Sequence, residues 1–444
     1  MKGPGRRIAV IGSGISGLGV AHRLAPHSDL TVYEAGSWFG GHTHTVDVTL
    51  DGVTHGVDTG FLVFNERTYP NLIRLFADLG VPTARSDMSF SVQVPNTGFE
   101  WSGSNLNTVF AQRSNLVSPS FWSMLADLLR FNRMATRLAT SGADAELEQP
   151  IGDFLRVHRF GHSFRDGYLL PMIGCIWSCP TDQMLRFPIA TLIRFCHNHG
   201  LIQVSNRPAW WTVQGGAREY VRRILAGLSD ARLNTPVRRV RRAPAGSGAA
   251  GVWVDTDAGS ERFDQVVMAC HSDQSLALLA DASPEERSVL GAIRYHPNEA
   301  VLHTDTAVLP KRRLAWAAWN YERSAQAPRE EAAVCLHYWL NRLQPLPFQQ
   351  PVMVSLNPSR PVDPARVIDR FHYAHPVFDA AAIEAQRRLP AIQGQRQTWF
   401  CGAWTRYGFH EDGLMSALAV ADGIEAGWAF GDEQRDSSPV GVAA

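Results

Sequence analysis

The chain has 444 residues, of which 45% are hydrophobic and 19% charged, and its basic and acidic side chains balance. This composition is typical of a folded globular protein and excludes a disordered one, and the length favours two domains. A net charge of zero provides no overall attraction to nucleic acid, so no nucleic-acid partner is expected.

The N-terminus carries an apolar run that resembles a secretion signal. Arg6 and Arg7 precede the run, but Gly12, Gly14 and Gly17 interrupt it, and no small-residue cleavage site follows. No stretch of eighteen apolar residues occurs anywhere in the chain, so the sequence predicts no membrane-spanning helix. We therefore expect a cytoplasmic protein.

The first elements predict a dinucleotide-binding unit. Ile8–Ile11 has the pattern of a buried strand, Ile15–Leu24 is helical, and Leu30–Tyr33 is a second strand. The motif Gly-Ser-Gly-Ile-Ser-Gly at residues 12–17 joins the first strand to the helix, and Glu34 ends the second strand. Strand, glycine turn, helix, strand and acidic residue thus occur in the order that this site requires.

The three motif glycines have different roles in binding a pyrophosphate. Gly12 permits a tight turn, Gly14 lets the backbone approach the phosphates, and Gly17 lets the helix pack close to the sheet. The amides at the helix N-terminus, in the segment that holds Ser13 and Ser16, are expected to bind the phosphates.

Glu34, followed by Ala35, is placed to accept hydrogen bonds from both hydroxyls of an adenosine ribose. A carboxylate at this position also disfavours a 2′-phosphate, so we do not expect NADP here.

A second glycine pair distinguishes FAD from NAD. Gly41 and His42 end the Gly-Gly-His segment at residues 40–42, and Thr59 and Gly60 lie in the segment Val57–Phe61. Simple NAD dehydrogenases have no need of such a pair. In large FAD enzymes of the glutathione reductase type, this loop lies along the extended cofactor toward the flavin.

These motifs resemble the flavin-containing amine oxidase superfamily, which includes protoporphyrinogen oxidase and phytoene desaturase; the chain looks closest to its bacterial NAD/FAD-binding, amine-oxidase-like branch. In that group a Gly-Gly-Arg follows the Glu-terminated strand, whereas His42 occupies the arginine position here. The resemblance implies an FAD cofactor. It also implies an α/β fold, with a glutathione-reductase-type FAD-binding Rossmann domain and an interleaved α+β substrate domain of mixed sheet and helices.

Farther along the chain, Phe121–Leu138 has helical apolar periodicity, with Arg130, Arg133 and Arg137 interleaved. One interpretation is an ordinary helix over the substrate domain. The alternative is a basic amphipathic surface that touches lipid headgroups, as in a peripheral membrane protein, or guides a long apolar substrate.

The cysteines do not predict a metal site. They are dispersed and show no paired zinc spacing, although Cys175 and Cys179 would share a helix face. We expect reduced, buried thiols at all six positions: Cys175, Cys179, Cys196, Cys270, Cys335 and Cys401.

The middle of the chain extends the resemblance. Trp211–Ala217 with the helical run Tyr220–Leu228 looks like the family's glycine pair and helix. Leu233–Val240 is predicted to be the next strand, where the family contacts adenine near Val237. Residues 243–251 are predicted to form a flexible hairpin turn, and Asp264–Cys270 looks like the family's following strand.

Two aromatic-rich runs, Leu314–Tyr321 and Ala333–Leu340, have the pattern of strands. Alternation places Trp319 and Tyr321 on one face, and likewise His337 and Trp339. Most such rings are core residues, but together they would suit a flat or acyl substrate beside a flavin.

The third match is C-terminal: a strand in Trp399–Trp404, a glycine turn, and a helix through Ala426. The resemblance implies that this helix directs its N-terminal amides at the flavin, which places Gly402, Gly413 and Leu414 at the cofactor. Negative charge develops on a flavin as it is reduced, and such amides stabilise it.

Candidate acid or base groups are few. His410, Glu411 and Asp412 stand immediately before the predicted helix, so His410 and Glu411 are our candidates for proton transfer. The alternative is that an acidic residue caps the helix while His410 packs. Asn65 is a further candidate to line the pocket.

The lysine count bears on the reaction. Many amine oxidases of the superfamily place a lysine near the flavin, but this chain has only Lys2 and Lys311. We therefore expect an FAD-dependent oxidoreductase for an apolar, unsaturated acyl or lipid-like substrate, which it would desaturate or alter by related C–H redox chemistry. The alternatives are a double-bond isomerase, an amine oxidase, and a non-catalytic flavin-binding partner of a lipid-modifying enzyme.

The motif blocks also predict the domains. Residues 1–85, 206–286 and 396–430 are expected to form the FAD-binding domain, and residues 86–205 and 287–395 the substrate domain. The polar tail, 431–444, is expected to be disordered. The sequence leaves the oligomeric state open.

Overall fold

The computed structural model of the protein describes residues 6–141, 147, 149–178, 180–203, 207–243, 251–323 and 334–436. The chain divides into two compact units. Unit 1 comprises Met1–Gly41, Val221–Ile293 and Glu384–Ala444, and unit 2 comprises His42–Tyr220 and Arg294–Ile383. Residues 42–85 and 206–220 therefore group with unit 2, whereas we assigned them to the FAD-binding domain. Compact units need not coincide with functional domains, so the limits given above for the FAD-binding and substrate domains stay a prediction.

The strands follow one another along the chain, and all bounds refer to the described residues. They are β1 (Arg7–Ile11), β2 (Asp29–Tyr33), β3 (Thr45–Leu50), β4 (Val53–Asp58), β5 (Phe64–Asn65), β6 (Thr83–Ser86), β7 (Phe90–Val94), β8 (Phe99–Ser102), β9 (Trp210–Val213), β10 (Asp230–Arg232), β11 (Val237–Arg242), β12 (Val252–Thr256), β13 (Gly259–Phe263), β14 (Gln265–Met268), β15 (Arg294–His303), β16 (Trp319–Glu322), β17 (Cys335–Trp339), β18 (Met353–Leu356), β19 (Val367–Val377) and β20 (Thr398–Phe400).

The α-helices of the same residues are concentrated between β8 and β9, and the others are spread along the chain. They are α1 (Ile15–Leu24), α2 (Pro70–Asp78), α3 (Leu106–Val109), α4 (Pro119–Ser141), α5 (Ile151–Val157), α6 (His162–Phe164), α7 (Leu170–Trp177), α8 (Thr181–Leu185), α9 (Ile189–Asn198), α10 (Arg218–Leu225), α11 (Ser272–Leu278), α12 (Pro284–Leu290), α13 (Leu340–Leu343), α14 (Ala380–Arg388) and α15 (His410–Asp436).

Unit 1 is built on a parallel sheet of order β10-β2-β1-β14-β20. Its central strands are apolar on both faces because helices cover them, as in other parallel sheets. Val10 pairs with Val32 on one side and with Val267 on the other. Helix α15 closes this core with Val420 and Ile424, packed among side chains of β1 and α1.

One predicted strand of unit 1 is wrong. Leu233–Val240 is not continuous: β10 ends at Arg232 in the parallel sheet, and β11 begins at Val237 in a separate antiparallel sheet with β12 and β13. Asn234 has a φ of 50° between them, in the left-handed region that interrupts an extended strand. The chain therefore changes sheet within the predicted strand, which is right only from Val237 onward.

The hairpin predicted around residues 243–251 is confirmed at its flanks, since Arg242 pairs with Val252 across β11 and β12. Residues 244–250 lie outside the described part of the chain.

Unit 2 contains a seven-stranded mixed sheet of order β19-β15-β18-β17-β16-β7-β8. The second aromatic run is confirmed as strand β17. The first is wrong over its leading half, because residues 313–315 form a 3-10 turn and β16 begins only at Trp319. Trp319 faces Tyr338 across the pair, with ring centroids 4.8 Å apart, so these rings pack on each other.

The C-terminal helix α15 is described to Asp436, so it continues through residues 431–436 of the segment we expected to be disordered. Residues 437–444 lie outside the described residues. No helix of the described chain is long and apolar enough to cross a membrane.

Candidate functional site

The first glycine loop has the geometry that its motif predicts. Gly12 has a φ of 102°, and a Cβ there would lie 3.0 Å from backbone atoms of Ala269. A Cβ on Gly17 would lie 1.9 Å from the Gly12 carbonyl oxygen, so the helix packs against the turn as closely as a glycine allows. A Cβ on Gly14 would meet nothing within 4 Å, which leaves open space at the start of α1.

That open space suits a phosphate group. Gly14 is the N-cap of α1, and no acidic residue occurs in the first turn of the helix. The first amides of a helix have no partner within it, and they lie at the positive end of its dipole. The residues present therefore fit a pyrophosphate, with the loop that contains Ser13 and Ser16 around it.

Hydrogen bonds hold the Glu34 carboxylate at the mouth of this loop. One oxygen accepts from the backbone N–H of Ser13 at 3.0 Å and also from the Ser13 hydroxyl, and the other accepts from Gly36 N–H at 2.8 Å. A carboxylate has about four acceptor sites, and these three bonds leave one of them, on the oxygen that faces Gly36, for a ribose hydroxyl. Ala35 is exposed beside it.

The adenine segment lies next to the same carboxylate. The carbonyl oxygen of Glu34 accepts from Thr235 N–H at 2.8 Å, and Gly36 accepts from Asn234 N–H at 3.2 Å. These bonds tie the start of β11, where Val237 is 8% exposed, to the ribose position. The start of β11 is thus tied to the Glu34 segment, and the contact of Val237 with adenine stays a prediction.

The second glycine pair completes the loop. Gly40 N–H donates to the Ser13 hydroxyl at 3.1 Å. A Cβ on Gly41 would lie 3.2 Å from the Cα of Gly14. The two glycine loops, which are more than twenty residues apart in sequence, are therefore in contact at the phosphate position.

The start of helix α15 packs against the start of α1. A Cβ on Gly413 would lie 2.8 Å from the Cγ2 of Ile15 and 2.9 Å from the hydroxyl of Ser16. Gly402 N–H donates to the Ser416 hydroxyl at 3.0 Å, which fixes the strand end over the first turn. Leu414 is buried. The predicted residues of the N-terminal and C-terminal motifs thus meet in one place.

The predicted position of the acid and base candidates needs a correction. His410, Glu411 and Asp412 do not precede the helix: they form the first turn of α15. Asp412 accepts from Phe409 N–H at 3.0 Å, so it caps the helix, and burial raises its pKa to about 6. Glu411 is 5% exposed, and His410 is half-buried. The helix begins at His410, earlier than predicted. Asp412 is its third residue, and a carboxylate there that accepts from the N–H of the residue before the helix favours a helix start at this point.

Asn65 closes a turn. Its side-chain oxygen accepts from Arg67 N–H at 2.9 Å and from Thr68 N–H at 3.0 Å, and the residue is fully buried. Its Nδ2 has no hydrogen-bond partner among the described residues. The hydrogen bonds of the turn use the side-chain oxygen of Asn65. Because its amide nitrogen is buried without a partner among the described residues, Asn65 stays a candidate for contact with a bound molecule.

In unit 2, the segment from His42 pairs with the segment at Thr59 and Gly60. Phe61 N–H donates to the His42 carbonyl oxygen at 2.8 Å, and Thr59 N–H donates to His44 at 2.9 Å. A Cβ on Gly60 would lie 2.2 Å from the His42 carbonyl oxygen, so only glycine permits this approach. The three predicted residues are therefore neighbours.

Two residues that the sequence did not single out join this group. Tyr373 and His375 extend from β19 with ring centroids 5.0 and 5.3 Å from the ring of His42. The Tyr373 hydroxyl bonds with the Thr59 hydroxyl at 2.8 Å and with His44 Nδ1 at 3.2 Å. Their spacing of two residues in a strand indicates that Tyr373 and His375 share a face, but it does not indicate that this face meets His42.

This group is electrically neutral at its centre. Asn298 donates its amide N–H to His375 Nδ1 at 2.8 Å, and burial lowers the pKa of His375 to about 3. Burial likewise lowers the pKa of His44 to about 4. Burial therefore disfavours a positive charge on either of these two histidines.

Glu322, Cys335 and His337 form a second polar group on the sheet of unit 2, with one potential metal-ligand atom from each within 4.8 Å of the others. Hydrogen bonds connect this group to Ser355 and His303. Asp305 N–H donates to His303 Nδ1 at 3.0 Å, so the proton of His303 is on Nε2 and points at the Ser355 hydroxyl, 2.7 Å away.

The network continues at Ser355. His337 Nδ1 lies 2.6 Å from the Ser355 hydroxyl, and its Nε2 lies 3.6 Å from the Glu322 carboxylate. Burial lowers the pKa of His337, but Cys335 and Glu322 raise it to about 9 in balance. These side chains form a buried hydrogen-bonded network centred on Ser355.

The fold and the glycine loops of unit 1 define an FAD-binding flavoprotein. The chain belongs to the flavin-containing amine oxidoreductase family, whose match covers residues 15–424. The protein is thus an FAD-dependent oxidoreductase, and the predicted fold class and cofactor are confirmed. A search of curated proteins found no match.

Solved structures of the same fold have diverse activities. A fatty acid isomerase from P. acnes that produces CLA is 17% identical, with a TM-score of 0.66 over 94% of this chain and 98% of that one. Cyclohexylamine oxidase from Brevibacterium oxydans is 14% identical, with a TM-score of 0.65 over 95% and 100%. Putrescine oxidase bound to putrescine is 15% identical, with a TM-score of 0.64 over 95% and 99%.

Proposed function

We propose that the protein is an FAD-dependent oxidoreductase that acts on an apolar, unsaturated acyl or lipid-like substrate, by desaturation or related C–H redox chemistry. The placement of lysine carries this proposal. Lys311 is exposed in a turn of unit 2, where its backbone N–H donates to Glu100 at 2.7 Å. Lys2 lies outside the described residues, in the first five of the chain. Among the described residues, therefore, no lysine stands with those that we predict at the flavin, and lysine-assisted oxidation of an amine is disfavoured.

The neutral group of unit 2 supports the same proposal. Tyr373 is buried, His375 is partly buried, and desolvation lowers the pKa of His375 to about 3, which disfavours its charged form. An ammonium group prefers carboxylates or aromatic cages with charge nearby, whereas a hydrocarbon chain needs only apolar contact and the exclusion of water. We infer that His42, Tyr373 and His375 line the route of the substrate or of the flavin.

The first turn of α15 supplies the polar groups that the proposed reaction needs. Bound FAD would accept two electrons from a substrate C–H bond. The first amides of α15 stabilise negative charge that appears beside them, because they form the positive end of the helix dipole. His410 and Glu411, in that first turn, would accept or return the substrate proton.

A double-bond isomerase is the second candidate, and one observation favours it. A structure of this fold over nearly the whole chain is a fatty acid isomerase by name. In such a reaction the hydride taken from the acyl chain returns to it, so no external acceptor is consumed. The likeness to cyclohexylamine oxidase and putrescine oxidase is one of fold alone, as is the likeness to the isomerase, and it supports the amine oxidase alternative equally.

The test is anaerobic stopped-flow reduction, followed at the flavin absorbance band, with a panel of amines and a panel of unsaturated fatty acids. We expect fatty acids to bleach the flavin or to be isomerised, and amines to leave it oxidised. The His410→Ala and Glu411→Ala variants should slow the step about 10²–10⁴-fold while FAD occupancy stays near that of the wild type.

Asp422→Asn is the matched control, because it changes an exposed acidic residue farther along the same helix and should react at the wild-type rate. Rapid bleaching by an amine would contradict the acyl substrate. Wild-type rates in both variants would contradict the proposed proton-transfer site. Product analysis without acceptor separates the two candidates, since only the isomerase turns over.

A further inference from the structure

Exposed apolar side chains of unit 2 concentrate in one stretch. Nine large apolar residues of the described chain are exposed, and five of them fall between positions 106 and 129: Leu106 (79% exposed), Leu116 (49%), Val117 (83%), Trp122 (51%) and Leu129 (49%). Single exposed apolar residues are common on protein surfaces, but a cluster of them marks a contact site.

These residues belong to one continuous surface. The Trp122 indole N–H donates to the Leu116 carbonyl oxygen at 2.9 Å, which holds the loop against the first turn of α4. The ring of Phe110 lies 5.5 Å from the ring of Trp122. The loop before α4 and the start of that helix therefore present their apolar side chains together.

Helix α4 continues the surface with positive charge. Trp122, Leu129, Arg133 and Arg137 recur at helical spacing on one exposed face, with the apolar pair in the first half and the arginines in the second. We call this face, together with the loop from Leu106 to Val117, the apolar–basic surface.

The loop and helix α4 carry little negative charge of their own in the described chain. Asp127 is the one acidic residue between positions 103 and 141. It accepts from Arg130 at 2.9 Å and from Gly161 N–H at 2.9 Å, so its charge is already compensated. Arg113, Arg133 and Arg137 leave the surface positive in spite of the neutral chain.

We propose that the apolar–basic surface binds the surface of an anionic phospholipid bilayer. Val117, Trp122 and Leu129 would insert among the acyl chains, and the arginines would contact the lipid phosphates. The N–H of Trp122 is already bonded to the Leu116 carbonyl oxygen, so the exposed ring can be inserted without leaving a polar group unpaired. Apolar insertion and electrostatic attraction together are what stable interfacial binding requires. This inference is independent of the proposed reaction.

The experiment is vesicle flotation of the purified FAD-bound protein. Vesicles of phosphatidylcholine alone are compared with vesicles that contain 30% phosphatidylglycerol, at 0.1 M and 0.5 M NaCl. We expect strong binding to the anionic vesicles at low salt and weaker binding at high salt, where screening is stronger. The double variant Arg133→Gln/Arg137→Gln should lower the partition coefficient roughly 30-fold on anionic vesicles only.

The double variant Val117→Ser/Trp122→Ser should lower binding at least about tenfold on both kinds of vesicle, because the apolar contact is lost. The matched control is Val53→Ser/Ile368→Ser, which changes exposed apolar residues elsewhere in unit 2 and should bind as the wild type does. Flavin absorbance and the melting temperature check that each variant is folded.

Three outcomes would overturn the inference. The wild type does not float with anionic vesicles at low salt, or both double variants float as the wild type does. In the third, the wild type is a dimer by light scattering and Val117→Ser/Trp122→Ser is a monomer, with no vesicle binding by either. That result would assign the surface to a contact between two copies. Because none of these readouts measures turnover, failure here leaves the proposed reaction untouched.

Discussion

At the scale of single residues, two glycines of the same motif meet different surroundings. Gly17 lies against the Gly12 carbonyl oxygen with no room for a Cβ, whereas Gly14 borders open space. In a site that binds a pyrophosphate, Gly17 is needed for the close packing of the helix on the turn, and Gly14 is needed to leave space for the ligand. The two roles are therefore separable by substitution.

We expect Gly17→Val to lower the melting temperature of the FAD-free protein, since the side chain would collide with the backbone. A cost of about 1–3 kcal/mol is typical of such overpacking. Gly14→Val should leave that melting temperature nearly unchanged and abolish FAD binding. The measurements are thermal unfolding without FAD and the ratio of flavin to protein after reconstitution.

Gly427→Val serves as the control, because a Cβ on Gly427 also meets nothing within 4 Å and the residue is remote from the glycine loops. It should bind FAD normally. Full FAD occupancy in Gly14→Val would show that the pyrophosphate does not pass over this glycine.

At the scale of elements, the buried Asp58 joins three parts of unit 2. Its carboxylate accepts from Ala217 N–H at 2.9 and 3.0 Å, from the Gln344 amide at 2.6 Å and from the Thr45 hydroxyl. The β3–β4 hairpin is thus held to the start of α10 and the end of α13. Burial raises the pKa of Asp58 to about 7, from an ordinary value near 4.

This pKa sets a pH dependence of stability. A carboxyl whose folded pKa is raised stabilises the fold most below its unfolded pKa, and the effect is lost as the pH rises toward the folded value. We expect the contribution of Asp58 to fall between about pH 4 and pH 7, by about 1.4 kcal/mol for each unit of the pKa shift. Asp58→Asn should remove this slope while it destabilises the protein at pH 5.

Melting temperatures across this pH range check the expectation, with Asp51→Asn, an exposed residue of the β3–β4 turn, as the control. A difference between wild type and Asp58→Asn that stays constant with pH would contradict it.

At the scale of the whole molecule, the protein should be yellow and should release its flavin. A cysteine thiolate beside a flavin is a possible point of covalent attachment, and Cys401 directly precedes Gly402 of the C-terminal motif. It is fully buried, its backbone N–H donates to Met268 at 3.1 Å, and burial raises the pKa of its thiol, which disfavours the reactive thiolate. Acid precipitation should leave the flavin in solution, and flavin that pellets with the polypeptide would contradict this.

What the sequence by itself determined lies in short, ordered stretches. The glycine loop with its flanking strands and Glu34, the second glycine pair and the C-terminal block predicted the fold class and FAD, because each motif specifies its local backbone geometry without distant partners. The lysine content, too, is readable without coordinates. The functional role of individual site residues stays a prediction.

Only the tertiary structure decided which distant residues meet. His42 and Tyr373 are more than 300 positions apart, and no periodicity specifies that β19 brings the tyrosine to the second glycine loop. The break between β10 and β11 likewise depends on two different sheets, since each strand pairs with partners far from it in sequence. The exposed side of α4 was ambiguous in sequence, because an amphipathic pattern separates two faces without saying which one stays uncovered. Local propensity acts within a few residues, whereas strand pairing and burial are set by the whole packed chain.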